Sequence, residues 1–341
     1  MQTFKISLIS KYRIALMGIG ILDVLIWHMA NCYQLEGLSS QIFGTITRTV
    51  FTPVFLFLSG FGIYYSYSNN SNKKEFYKRR LNRLVIPFWI MFSLIFLLRW
   101  YFSGFGDFYY YLGTITTAYF WLPGKSFHYW YIAVILLFYI IYPFVHDFVF
   151  GKDENKSKIS IYIKVLSICC FLVLLNILLG EYYPYYHEIE LALPKLPMLF
   201  IGMLTGYLAK KQDLKINLYY WCGIIAVIVV SFYFMKANNK YFDQYYYIVD
   251  KLLTIPIIAL ILDYFSKKEF RIFRSILSIL CWLGMYTLEL YVIHIYLMHM
   301  VSDYPQLPQF AEWWIAVPIA LLVCMPINKF TKYVTRPHYK L

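Results

Sequence analysis

Long apolar runs recur along the whole sequence, and they constrain the fold more than any other feature. Ten segments can be marked, each about long enough to cross a hydrocarbon core, which takes roughly 20 helical residues. They lie near residues 13–32, 46–67, 84–102, 129–149, 160–179, 193–209, 217–235, 245–265, 282–301 and 311–328. Because the intervening stretches are too short for a separate soluble domain, we predict one domain over residues 1–341. Its fold class is all-α, a polytopic membrane helix bundle of about ten transmembrane helices.

The distribution of charge gives this predicted bundle an orientation. The net charge is +13, which at first sight suggests a nucleic-acid partner. Most of the 31 Lys and Arg residues, however, fall in alternate connecting segments. With the N-terminus inside, all the strongly basic segments lie on the cytoplasmic side, as the positive-inside rule requires. We therefore expect cytoplasmic N- and C-termini and contact with membrane lipid, and we expect no nucleic acid.

The first apolar segment contains a histidine at a depth where lipid is expected. This segment follows Lys11 and Arg13, and it includes Asp23 and His28. Arg13 and His28 are 15 positions apart, about 22 Å along a helix and some 60° around it. Both side chains can therefore face one interior. An ionisable group inside a membrane is by default a functional candidate, and the alternative is a histidine that only packs between helices.

A basic triplet comes just before the third segment. Arg79, Arg80 and Arg83 precede Pro87, and residues three apart share a helix face. Paired guanidinium groups suit a multiply charged phosphate ligand. The alternative is a positive-inside anchor that touches lipid phosphates.

Three other motifs have both a functional and a structural interpretation. In FLSGFG at 57–62, Ser59 can hydrogen-bond across helices, although close helix packing at the glycines would also explain the motif. YWYI at 129–132 is typical of an interfacial aromatic belt. Glu289 and His294 both lie in apolar surroundings, but they are five positions apart and need not pair. The glycine-rich and aromatic stretch 103–127 could dip back into the protein.

Taken in order, these motifs resemble the integral membrane acyltransferase-3 family, whose members O-acylate cell-surface carbohydrates and related acceptors. The resemblance covers nearly the whole chain. It rests on GIGILDVLIWH at 18–28, FLSGF at 57–61, RRLNRLVIPF at 79–88, YWYIAVILLFYIIYP at 129–143, LPMLFIGMLTGY at 196–207 and LGMYTLELYVIH at 283–294. There is one departure. Family members commonly carry an arginine at the position of Met17, whereas Arg13 lies one turn earlier.

The resemblance implies a membrane-bound O-acyltransferase, expected to be an O-acetyltransferase of the plasma (inner) membrane. The donor would be cytoplasmic acyl-coenzyme A, expected to be acetyl-coenzyme A, and the acceptor a hydroxyl of a cell-surface or lipid-linked carbohydrate. The implied catalytic residue is His28, which would act as general base or briefly carry the acyl group. The implied donor-binding residues are Arg13, Arg79, Arg80 and Arg83, and the supporting residues are Ser59, Glu289 and His294.

The cysteines show no metal-ligand spacing, so no metal is expected. Two alternatives from other functional classes remain open at this point. The first is a transporter or flippase of a glycan or lipid, which ten spans and interior polar groups would fit equally well. The second is a non-catalytic partner in a glycan assembly complex.

Overall fold

The computed structural model describes residues 4–32, 52–104, 106–125, 129–151, 156–216, 221–223, 225–227, 229, 240–268, 270–302 and 310–335. Nearly all regular structure in these ranges is helical. The helices are α1 (Ser7–Cys32), α2 (Thr52–Asn69), α3 (Lys73–Arg80), α4 (Ile86–Ser103), α5 (Phe108–Ile115), α6 (Ala118–Trp121), α7 (Trp130–Phe150), α8 (Lys158–Tyr182), α9 (Tyr186–Ile189), α10 (Pro197–Lys211), α11 (Lys240–Lys267), α12 (Arg271–Met285), α13 (Thr287–Ser302) and α14 (Phe310–Thr335).

Three shorter features complete the described structure. A π-helical turn (Leu81–Val85) joins α3 directly to α4. A 3-10 turn (Leu193–Lys195) leads into α10. Strand β1 (Phe4–Lys5) pairs antiparallel with β2 (Lys215–Ile216), with Phe4 opposite Ile216.

The predicted apolar segments coincide with helices wherever the structure describes them. Within the described residues, four helices are long and apolar enough to cross a membrane, namely Lys73–Phe102, Trp130–Phe150, Lys158–Tyr182 and Ala311–Thr335. Helices α12 and α13 meet that criterion only as a pair, which would give a fifth span. The prediction of a helical membrane protein is thus confirmed, whereas the count of ten remains a prediction. The segment at 217–235 lies mostly outside the described residues, and the segment at 282–301 is divided at Tyr286.

The predicted orientation can be tested with reporter fusions. We expect a reporter fused after Leu341 to be active in the cytoplasm, because the basic segments fall on the N-terminal side of the membrane. A reporter inserted between residues 181 and 192 should be active outside. Alkaline phosphatase and a fluorescent protein would measure the two locations. An external C-terminus would contradict the predicted even number of spans.

The chain divides into two compact units, neither of which is one continuous stretch of sequence. The first comprises Met1–Asp23, Thr45–Ser71 and Ile140–Met285. The second comprises Val24–Gly44, Asn72–Tyr139 and Tyr286–Leu341. The boundaries after Asp23 and after Tyr139 fall inside helices α1 and α7, so each of these helices contributes to both units.

In the first unit, α2 and α10 cross closely because both have glycine at the crossing. A Cβ atom on Gly60 would lie 1.9 Å from the Leu199 carbonyl oxygen, and one on Gly202 would lie 2.0 Å from the Phe57 carbonyl oxygen. No side chain fits at such distances. Close packing therefore accounts for the glycine of the FLSGF motif, as the structural interpretation of that motif proposed.

Substituting Gly202 should destabilise this crossing measurably. We expect Gly202→Ala to lower the free energy of unfolding by about 1–3 kcal/mol, the usual cost of overpacking, or to reduce the folded yield. Gly223→Ala is the matched control, since a Cβ on Gly223 would meet no atom within 4 Å. Thermal unfolding of the purified variants would measure the difference. Equal melting temperatures for the two would contradict the assigned packing role.

The first half of α1 is held within the same unit by polar contacts and by another close crossing. Lys11 Nζ donates to Asp263 Oδ1 at 2.8 Å, and the Tyr12 hydroxyl donates to the same oxygen at 3.1 Å. The hydrogen bond with Asp263 raises the pKa of Lys11. Further along α1, a Cβ on Gly18 would lie 1.8 Å from the Leu280 carbonyl oxygen of α12. These contacts fix α1 upstream of His28.

In the second unit, the chain after α4 folds back along that helix. The Ser93 and Tyr111 hydroxyls are 2.8 Å apart, and Trp89 Nε1 donates to the Ile115 carbonyl oxygen at 2.8 Å. Trp89 lies 14 residues before the end of α4 at Ser103, about 21 Å along the helix. Helix α5 thus runs back beside α4 to this depth before α6 begins. This is the geometry expected of a segment within 103–127 that dips back into the protein.

Candidate functional site

Two histidines from opposite ends of the sequence meet in the second unit. His28 lies near the end of α1 and His294 lies in α13, with their ring centroids 5.1 Å apart and their planes at 65°. His294 has 0% of its surface exposed, whereas His28 is half-buried. Of the two imidazoles, only that of His28 is therefore available to a substrate, and His294 lies behind it.

A backbone carbonyl determines which ring nitrogen of His294 carries hydrogen. His294 Nδ1 lies 2.5 Å from the Leu290 carbonyl oxygen, one turn earlier in α13. Because a carbonyl oxygen only accepts hydrogen bonds, Nδ1 is the donor in this contact. In a neutral ring Nε2 then bears the lone pair. That atom is buried and has no hydrogen-bond partner among the described residues, so its lone pair is available to accept a hydrogen bond.

Aromatic residues pack beside the two histidines. The Tyr291 ring lies 6.5 Å from that of His294 and 6.2 Å from that of Tyr129. The Tyr129 hydroxyl donates to the Val292 carbonyl oxygen at 3.3 Å, and the Tyr129 side chain is buried. The interpretation of YWYI as an interfacial belt is therefore wrong for Tyr129. This residue instead joins the start of α7 to the helix that carries His294.

Helix α14 holds both histidine-bearing helices through polar contacts. Asn328 Nδ2 donates to Glu289 Oε1 at 2.5 Å, which links α14 to α13. Trp313 Nε1 donates to the Leu25 carbonyl oxygen at 2.7 Å, which links α14 to the end of α1. Glu289 is thus directed at Asn328, and its supporting role in the site remains a prediction.

The basic triplet occupies the junction between α3 and the π-helical turn. Arg80 is only 7% exposed, and its guanidinium lies 5.1 Å from the Phe76 ring centre and 5.2 Å from that of Tyr139. Arg83 is exposed. The prediction that Arg80 and Arg83 share a face is therefore wrong, because a π-helical turn contains more residues than an α-helical turn.

The three arginines nevertheless remain close enough to interact. The charges of Arg83 and Arg79 both act on the Arg80 guanidinium. Like charges at such separations repel each other, so a bound anion would stabilise the cluster. Because Arg80 is packed between two aromatic rings, Arg83 is the member best placed to contact a ligand directly.

The remaining two predicted site residues, Arg13 and Ser59, belong to the first unit. The Arg13 guanidinium lies against Gly62 of α2, where a Cβ would come within 2.0 Å of Arg13 Nη1. The absent side chain of Gly62 therefore provides the space that Arg13 occupies. Ser59 is half-buried in α2, directly before the crossing at Gly60. The proposed donor-binding and supporting roles of these two residues remain predictions.

The first unit also contains buried charges, on α11 and α1. Lys251 of α11 has 0% of its surface exposed, and its Nζ lies 2.5 Å from Asp250 Oδ2. Asp23 of α1 is buried and interacts electrostatically with Lys251. Lys251 is thus an electrostatic partner of Asp23.

Comparison with known families decides what kind of protein carries this site. A family model described as an acyltransferase domain matches residues 15–329, nearly the whole chain. The chain belongs to the acyltransferase-3 family. The matched residues of this acyltransferase include His28, the basic triplet and His294, whereas Arg13 lies just before them. No curated protein and no solved structure matches the chain.

Several residues around this candidate site were not predicted from the sequence. Tyr291 and Tyr129 are two among many tyrosines, since the chain contains 35 of them. Asn328 is a polar residue within an apolar run. This pattern made Glu289 a candidate site residue, and it would have made Asn328 one as well. The Leu290 carbonyl, which orients His294, has no signature in the sequence at all.

Proposed function

We propose that this acyltransferase moves an acetyl group from cytoplasmic acetyl-coenzyme A to a hydroxyl of a cell-surface or lipid-linked carbohydrate. It would do so as a multi-pass protein of the plasma (inner) membrane. The observation that supports this proposal best is the pairing of His28 with His294. It places a half-exposed imidazole next to a buried one whose Nε2 lone pair is available to accept a hydrogen bond.

In the proposed reaction His28 acts as general base. It removes the proton of the acceptor hydroxyl while the hydroxyl oxygen attacks the thioester carbonyl carbon. The new C–O bond forms, the C–S bond breaks, and the departing thiolate recovers a proton from His28 to give coenzyme A. An acyl group carried transiently on His28 would use the same residue in two steps.

His294 would assist His28 in this reaction without contacting the substrate. At a ring separation of 5.1 Å, a nitrogen of one imidazole can face a nitrogen of the other. His294 Nε2 has no hydrogen-bond partner among the described residues. A rotation of either ring would let it accept the N–H of His28, orient the His28 ring and stabilise the imidazolium that forms. This is the task that the third member of a catalytic triad performs for the catalytic histidine.

The distance between the basic triplet and the histidines suits an elongated donor. The Tyr296 ring, two residues after His294, lies 5.5 Å from the Phe92 ring of α4. Phe92 follows Arg83 by nine positions, about 14 Å along the helix. In coenzyme A a long pantetheine arm separates the phosphates from the thioester. The phosphates would bind at Arg83 and the arm would extend along α4 towards the histidines.

Replacing Arg83 should weaken donor binding specifically. A lost charge-assisted contact costs about 1.5–3 kcal/mol, so we expect Arg83→Gln to raise the KM for acetyl-coenzyme A at least about tenfold with little change in kcat. Arg80→Gln should instead reduce the folded yield, because Arg80 is packed between Phe76 and Tyr139. Lys158→Gln, at an exposed lysine, is the control. If the KM of Arg83→Gln for acetyl-coenzyme A stays within a factor of two of the wild-type value, Arg83 serves only to anchor the topology.

The transporter or flippase alternative draws support from the buried Asp250–Lys251 pair, since intramembrane charges often line transport pathways. Release of coenzyme A thiol by the purified protein, with transfer of the labelled acetyl group to carbohydrate, distinguishes the two functions. An enzyme shows this turnover in detergent, where no compartments exist. A transporter shows movement of glycan or lipid in vesicles and no thioester cleavage. A non-catalytic partner shows neither activity alone.

A further inference from the structure

A second cluster of basic and aromatic side chains lies around the α5–α6 segment. Arg99 Cζ is 5.6 Å from the Tyr296 ring centre, and Lys125 Nζ is 5.5 Å from the Tyr119 ring centre. The Tyr110 and Tyr119 rings are 6.0 Å apart, and the charge of Arg99 acts on Tyr110. These five residues form one connected group, which we call the Arg99–Lys125 cluster.

This cluster adjoins the histidine pair. Tyr296 lies two residues after His294 in α13, so one member of the cluster is on the histidine helix itself. The Phe92 ring contacts both sides of the junction, at 5.5 Å from the Tyr296 ring and 6.4 Å from the Tyr110 ring. A molecule bound at the cluster would therefore lie beside the residues that we assign to acyl transfer.

The cluster is distinct from the basic triplet. Arg83 and Arg99 are 16 positions apart on the continuous helix that runs through the π-helical turn and α4, about 24 Å along its axis. In the predicted topology, Arg99 and Lys125 lie towards the outer side of the membrane. The positive-inside rule disfavours basic residues on that side. Two cations at this position therefore need an explanation other than topology.

We propose that the Arg99–Lys125 cluster binds the acceptor and selects an anionic carbohydrate, one that bears a carboxylate or a phosphate group. This inference rests on the proposed acyl transfer and names the acceptor class for the same site. Tyr296 is buried, whereas Tyr110 and Tyr119 are half-buried, and the exposed parts of their two rings offer flat, partly apolar surfaces on which a sugar ring can stack. Guanidinium and ammonium groups form strong charge-assisted hydrogen bonds with carboxylate and phosphate oxygens.

The acidic residue nearest in sequence to Tyr110 is already engaged. Asp107 Oδ1 accepts the backbone N–H groups of Tyr109 and Tyr110, at 2.8 Å and 3.2 Å, and so caps the N-terminus of α5. This carboxylate stabilises the helix that carries Tyr110.

The test uses the native acceptor and the full-length protein. Membranes from cells that lack this protein supply unmodified glycan, and purified wild-type protein transfers radiolabelled acetyl from acetyl-coenzyme A to it. One portion of the glycan is carboxyl-reduced, a second is treated with phosphatase, and a third is left intact. We expect one of the two treatments to lower kcat/KM for the acceptor at least about tenfold, the equivalent of one charge-assisted contact. The affected portion identifies the anion.

Variants then connect this selectivity to the cluster. We expect each of the variants Arg99→Gln and Lys125→Gln to raise the KM for intact glycan about tenfold. Both variants should label the neutralised glycan at the wild-type rate. Arg99→Lys should recover part of the loss, and Lys158→Gln should have no effect. The KM for acetyl-coenzyme A and the melting temperature should stay unchanged in all four variants.

The outcomes separate this inference from the proposed function. Wild-type protein that labels no glycan and cleaves no thioester would overturn both. Equal labelling of intact and neutralised glycan by an active wild type would overturn only the anionic acceptor. A raised KM for acetyl-coenzyme A in Arg99→Gln would assign the cluster to the donor and would likewise overturn the inference.

Discussion

Replacing His28 by alanine should lower the rate of acyl transfer at least about a hundredfold, because loss of a general base typically costs 10²–10⁴ in rate. His28 is the half-exposed member of the pair, so it is the ring that an acceptor hydroxyl can reach. We expect normal membrane insertion and little change in the KM for acetyl-coenzyme A. Initial rates of coenzyme A thiol release and of acetyl transfer by purified protein measure the effect.

A matched control on the same helix makes the His28 result specific. Leu22 is an exposed residue of α1, and Leu22→Ala should retain nearly the wild-type rate. A variant His28→Ala that transfers acetyl at close to the wild-type rate would show that His28 only packs between helices. The next residue to examine would then be His294, whose buried Nε2 is the other basic nitrogen in the pair.

The existence of the helices could be predicted, and His28 could be chosen as a candidate, because both rest on local sequence. A run of about 20 apolar residues has few alternatives to a membrane helix, and a histidine within such a run is costly unless it has a task. The meeting of His28 with His294 could not be derived in this way. It depends on how α1 and α13 pack, and helix packing in membranes is decided by side chains distributed over several helices.

The basic triplet shows where helical periodicity misleads. The prediction that Arg80 and Arg83 share a face assumed 3.6 residues per turn, whereas the chain forms a π-helical turn at Leu81–Val85. Pro87 lacks the N–H that would bond to the Arg83 carbonyl in a regular α-helix, which weakens the regular pattern at this position. The sequence contains the proline, but not the aromatic pair, Phe76 and Tyr139, that holds Arg80 inside.

The FLSGF motif illustrates the opposite case, in which the simpler interpretation is sufficient. Its glycine at position 60 predicts close approach of another helix, and the structure shows that approach at Leu199 of α10. The identity of the partner helix still had to come from the structure, because Gly202 is one of 16 glycines in the chain. A small residue thus predicts a crossing without specifying what crosses there.

His294 offers the sharpest test of the proposed pair, because its two ring nitrogens can be separated by substitution. In His294→Asn the side-chain amide can still donate to the Leu290 carbonyl oxygen, as Nδ1 does now, but nothing replaces Nε2. We expect a loss in kcat of about a hundredfold, within the range for general-base residues, with a melting temperature close to that of wild type. A purely structural role for His294 predicts the reverse, lower stability with retained activity.

The double variant shows whether His294 acts through His28. If it does, His28→Ala together with His294→Asn should be hardly slower than His28→Ala alone, because residues that act as a unit are strongly non-additive. The ring separation of 5.1 Å is well inside the range where such coupling is expected. If the two losses in rate simply multiply, each histidine serves a separate step, and the proposed action of His294 through His28 would have to be abandoned.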